Sequence, residues 1–105
     1  MDFIDISGAS GNSYRFRRWP TSGVHPPIAG NFALVAERTR RVLAVRVADD
    51  LSRVRQDLDG LPRRTALFTR LNVARCQREA EHADLTLEHA EASEIAPNVS
   101  NSAAA

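Results

Sequence analysis

Six consecutive residues, Tyr14-Arg15-Phe16-Arg17-Arg18-Trp19, interleave aromatic rings with guanidinium groups. That combination suits a polyanion carrying flat bases, since cations neutralise phosphates while ring faces stack. Its plainer reading is a half-buried strand, with Tyr14 and Phe16 packed inward and Arg15 and Arg17 in water. A second basic group, Arg38, Arg40 and Arg41, falls in a short polar segment where charge blunts a sheet edge. His82 and His89 are seven apart, about two helical turns, too far to share one metal ion. Cys76 is a lone thiol with nothing placing a histidine beside it. No glycine-rich phosphate loop, Gly-x-Ser-x-Gly elbow or His-Glu-x-x-His motif occurs.

The elements that would carry these residues follow from periodicity. A short apolar stretch, Phe3 to Ile6, precedes a turn over Ser7 to Ser13, and the Tyr14 to Trp19 strand ends at Pro20. Pro20 to Pro27 is a loop holding His25. Gly30 to Ala36 and Val42 to Val47 are strand-like, with Glu37 to Arg41 short enough to close a hairpin. Asp49 or Asp50 caps a short helix, on which Leu51, Val54 and Leu58 fall at helical spacing before Gly60 stops it. Thr65 to Leu71 supplies a third core strand. Asn72 then caps a last helix from about Val73 to Ala90. Its stripe Val73, Cys76, Ala80, Ala83, Leu87 and Ala90 is small enough to pack on the sheet, leaving Arg78, Glu81, His82 and His89 wet.

The expected fold is therefore α+β: a three- to four-stranded, mostly antiparallel sheet flanked by two helices. Its expected limits are a single domain over residues 1–92 and a disordered tail over 93–105, where Ala, Ser, Asn and Pro dominate. One domain is what 105 residues allow, and 43% hydrophobic with 26% charged residues is ordinary globular composition. The net charge of +1 excludes a global pull onto nucleic acid, so any such attraction must be local. All 14 basic residues are arginine, a pattern of base composition as much as of recognition. One cysteine excludes an internal disulfide and suits a reducing cytoplasm. The acidic Met1 to Ile6 start is unlike a secretory leader, and no apolar run reaches the roughly 20 residues of a membrane span, so no membrane partner is expected.

Gly30 to Val47 followed by Ala48-Asp49-Asp50-Leu51 resembles the GIY-YIG nuclease superfamily, whose Gly-x-Tyr and Tyr-x-Gly strands form a hairpin leading into a Thr-Asn-Leu-like helix start. Arg78 to Leu85 is similar to that family's glutamate-bearing helix, and Pro97-Asn98 to its closing Pro and Asn. The resemblance spans residues 29–98. It implies a site at Phe32, Ala44, Arg55 and Glu81. Phe32 and Ala44 stand where the family has its two tyrosines, Arg46 takes the place of a glycine, and Val54 that of the helix arginine, with Arg55 one residue on. Glu81, or Glu79 in a shifted register, would hold the family's divalent metal.

A phenylalanine ring and a methyl group cannot relay a proton or orient water, so the family's hydrolysis is not expected. The resulting expectation is a non-catalytic module contacting DNA or RNA through Arg15, Arg17, Arg46, Arg53 and Arg55. It needs no cofactor, and Glu81, or Glu79 in the shifted register, is the position for a divalent metal. Two alternatives stand beside it: a regulatory module with a protein partner, suggested by the small-residue helix, and a residual metal-dependent endonuclease using Glu81 and Arg55.

Overall fold

The computed structural model describes residues 3–58, 61 and 63–89. In β1 (Phe3–Ser7) and β2 (Ser13–Arg18), alternation sets the register: Ile4 pairs with Phe16 and Ile6 with Tyr14, both turned inward, while Asp5 pairs with Arg15 on the wet side. β3 (Gly30–Ala36) and β4 (Val42–Ala48) form the expected hairpin, with an irregularity at Leu34/Val35 and Arg40 at φ 62 in the turn. β5 (Thr65–Leu71) lies between β2 and β3, giving the order β1-β2-β5-β3-β4 with every pairing antiparallel. The sheet thus has five strands rather than three or four, because the segments on both sides of the Gly8–Asn12 turn pair with one another.

β3 is buried on both faces, which is why its apolar residues run without alternation. Phe32 and Leu34 pack against Leu51 and Val54 on one face, while Ala33 and Val35 meet Phe16, Phe68 and Leu85 on the other. The first face is covered by a 3₁₀ turn (Leu51–Arg53) running into the one-turn helix α1 (Val54–Asp57). Asp50 starts this segment as expected, its carboxylate accepting from Ser52 N–H at 3.0 Å and from the Ser52 hydroxyl at 2.6 Å.

The second face carries α2 (Arg75–Glu88), and here the structure corrects the sequence reading. Its residues against the sheet are Arg78, Glu81 and Leu85. The apolar stripe points outward, with Val73 74% and Leu87 75% exposed and Cys76 exposed as well. The polar face wins because its groups find partners. Arg78 Nη1 donates to the Val73 carbonyl at 2.7 Å, and Asn31 Nδ2 donates to the Arg78 carbonyl at 3.1 Å. Asn72 is no cap. Ala74 holds that position, and the Asn72 side chain donates to Asn31 Oδ1 at 3.1 Å and to Glu81 Oε1 at 3.0 Å. This network fixes the helix even though Arg78 Nε finds no partner among the described residues, whereas a row of alanines offers little area to bury. Gly60, Ala90, Pro97-Asn98, the boundary at 92 and the tail 93–105 lie outside the described residues.

Candidate nucleic-acid interface

Alternation puts Arg15 and Arg17 on the sheet face opposite α2, about 7 Å apart along β2, close to one nucleotide of extended backbone. β2 and β5 are six and seven residues long yet share only the pairs Arg17↔Thr69 and Arg18↔Phe68. Beyond Thr69 the strands part, and the Arg70 side chain spans the opening, its Nη1 donating to the Arg15 carbonyl at 3.4 Å. The fork forms a cleft of about 360 Å³ lined by Arg15, Arg17, Arg18, His25, Thr69 and Arg70, among others.

The loop after Pro20 closes one end. His25 Nδ1 lies 2.8 Å from the Pro26 carbonyl, so it carries the proton, and Nε2 accepts from the Thr69 hydroxyl at 2.7 Å. The His25 ring stacks on Trp19 with centroids 4.8 Å apart. On the far side of Pro20 lies a second cleft of about 400 Å³, lined by Trp19, Glu37, Arg55 and Thr65 and sharing Arg18 and Pro20 with the first.

Three of these cations are held by acids. Arg15 donates to Asp5 at 2.9 and 3.2 Å while lying 3.9 Å over the Phe3 ring, and this pairing raises the Arg15 pKa and lowers that of Asp5. Arg18 donates to Glu37 at 2.7 Å, and Arg70 to Glu81 at 2.8 Å. Arg17 has no acidic partner among the described residues. The Arg15 and Arg18 pairs are about half exposed, where an ion pair contributes roughly 0–1 kcal/mol, so a phosphate can compete for either guanidinium.

Of the arginines anticipated from sequence, Arg15, Arg17 and Arg55 line the two clefts, while Arg46 and Arg53 lie outside both. Arg46 is half-buried opposite Phe32 on the edge strand β4, and burial lowers its pKa. Phe32 and Ala44 are buried beneath α1, Arg55 is exposed on it, and Glu81 is buried on the opposite face of the sheet, so these four positions share no surface. Both Glu81 oxygens are engaged, Oε1 by Arg70 and Asn72 and Oε2 by Gln77 at 3.0 Å. No group of three or more His, Cys, Asp or Glu gathers for a metal among the described residues. Sequence reasoning missed Arg70, Thr69 and His25 as cleft residues, since only the parting of β2 from β5 brings them together.

The chain matches no known family model, no curated protein and no solved structure. Among the described residues no helix is long and apolar enough to cross a membrane.

Proposed function

We propose that this chain is a non-catalytic module that binds the sugar–phosphate backbone of DNA or RNA along the two adjoining clefts. The observation that carries this reading is Arg17, which faces the fork between Arg15 and Arg70 with no acid to neutralise it. Arg18 and Arg55 extend the basic lining into the second cleft. Such a surface attracts phosphate without demanding a base sequence. What accords with a GIY-YIG-like reading is element order alone, hairpin then short helix then strand then long helix, while the four positions it implies share no surface. It supplies no reaction, because Phe32 and Ala44 carry no titratable group and Glu81 is committed to Arg70, Asn72 and Gln77. A lone exposed thiol at Cys76 fits a reducing cytoplasm.

The test is fluorescence anisotropy with labelled single strands across a salt series. Contact with about three phosphates gives log affinity falling with log salt at a slope near −2. Absence of binding at low salt, or binding indifferent to salt, overturns the proposal. Plasmid incubated with magnesium or manganese should show no cleavage that depends on Glu81, with Glu81→Ala as control.

A further inference from the structure

The two clefts are lined by more than phosphate ligands. The first sets Pro20, Pro26 and Leu71 among its arginines, and the second sets Trp19 and Pro20 beside Arg18 and Arg55. Leu71 lies past Thr69, the last β5 residue that pairs with β2, and is 53% exposed, a large apolar side chain left in water beside cations. His25 lines the first cleft and Trp19 the second, and their rings stack, so with Pro20 they form the partition between the two. Both His25 ring nitrogens are hydrogen-bonded, to the Pro26 carbonyl and the Thr69 hydroxyl, which fixes that partition before any ligand arrives. A phosphate gains nothing from proline, leucine or indole. A nucleobase, with apolar faces and a polar edge, gains from both kinds of lining.

We propose that the ligand is single-stranded nucleic acid, whose consecutive nucleotides place one base in each cleft and the phosphate between them on Arg18, the cation both clefts share. This rests on the backbone-binding reading above and adds the strand state and the bases. Volumes of about 360 and 400 Å³ put each cleft in the roughly 300–1,000 Å³ range of sites that enclose small flat molecules. Charge matches as well, since Arg17 has no acidic partner among the described residues and awaits the neighbouring phosphate. A duplex cannot bind in this way. Its bases are stacked and paired, and extruding one costs interactions that an unpaired strand largely lacks. Backbone electrostatics alone favour the opposite order, because duplex DNA carries one charge per about 1.7 Å of axis against about 3.4 Å for one strand. The preference between strand states therefore separates base capture from simple phosphate contact by its sign.

Anisotropy titrations of the full chain at low salt test this with a labelled mixed-sequence strand, the same strand annealed to its complement, and an abasic strand of equal length. The mixed strand, in deoxyribose or ribose form, should bind more tightly than either of the others, by about 5- to 150-fold over the abasic strand for each base taken. Trp19 is the only tryptophan in the chain, so its emission reports the second cleft, and at saturation the mixed strand should quench it more than the abasic strand does. Leu71→Ser, a change at a largely exposed position, should bring the affinity for the mixed strand down towards that for the abasic one. Duplex or abasic strand bound as tightly as the mixed strand, with the salt dependence retained, overturns this inference and leaves the backbone reading standing. So does Trp19 emission that the mixed strand leaves unchanged at saturation. Failure of every probe to bind overturns both.

Discussion

Arg70 on β5 donates its Nε–H to Glu81 Oε1 on α2 at 2.8 Å, joining the strand that floors the cleft to the helix behind it. Glu81 is 7% exposed and also holds Asn72 and Gln77, so its removal strands three donors. Breaking a buried pair costs about 3–5 kcal/mol, but water still reaches Arg70 and reduces the penalty. Glu81→Ala should therefore lower unfolding free energy by about 2–3 kcal/mol in urea. Glu81→Gln keeps an acceptor and should cost less than half of that. Equal losses for the two would show that charge, not hydrogen bonding, is what Glu81 supplies.

Arg17→Ala should weaken binding to all oligonucleotide sequences alike and make the salt slope on single strands shallower by about 0.7. Arg53→Ala is the contrast, since Arg53 is exposed on the 3₁₀ turn and lines neither cleft. Anisotropy titrations of the two variants side by side settle which surface is used. An equal loss from both would mean that diffuse charge does the binding.

The hairpin, the short capped helix and β5 were legible because each is written in local chemistry: apolar runs of strand length, Asp50 before Leu51, and β-branched or aromatic residues from Thr65 on. The face of α2 was not. Periodicity finds an apolar stripe but cannot tell whether the sheet takes it, and here partners remote in sequence decided the matter. Asn31 lies 47 residues from Arg78, and Tyr14 lies 70 from Asp84. The cleft was half legible for the same reason. Arg15 and Arg17 announce themselves by alternation, while Arg70 and Thr69 belong to a strand whose separation from β2 no local pattern encodes.

Gly30 was conspicuous in the sequence, and the structure gives it a packing role. A Cβ there would run into the Arg70 carbonyl oxygen and crowd Leu51 and the Asn72 backbone nitrogen. Backbone cannot swing aside as a side chain would. Gly30→Ala should cost about 2–3 kcal/mol, the upper range for overpacking, and lower the melting temperature accordingly. Because Arg70 and Asn72 are the atoms displaced, the same variant should weaken oligonucleotide binding at temperatures where it is still folded.

Asp84 ties α2 to the β1–β2 turn. Its carboxylate accepts from Ser10 N–H at 2.8 Å, the Ser10 hydroxyl at 2.6 Å and the Tyr14 hydroxyl at 2.7 Å. The Ser10 and Tyr14 bonds lower its pKa, and the Tyr14 phenol is raised by sharing its proton with the carboxylate. A depressed carboxylate stabilises the fold fully above its unfolded pKa of about 3.9 and loses that contribution as pH falls through the folded value. The melting-temperature gap between the unaltered chain and Asp84→Asn should accordingly be widest at neutral pH and close in acid below about pH 4. A gap that persists unchanged at lower pH would assign the effect to shape rather than charge.

His82 is half-buried on α2 with its Nδ1 unpartnered among the described residues, and burial first, then the nearby Arg46 guanidinium, lowers its pKa. The unfolded chain therefore binds a proton at His82 more readily than the folded one. Stability is complete above the unfolded value of about 6.5 and declines as pH falls through the lower folded value. Urea unfolding between pH 7.5 and 5 should show this loss, shallower than the roughly 1.4 kcal/mol per pH unit of one whole proton. His82→Gln should flatten that part of the curve without moving the acid limb set by Asp84, because the two groups titrate in separate ranges. If the slope instead survives His82→Gln, the proton enters at a group other than His82.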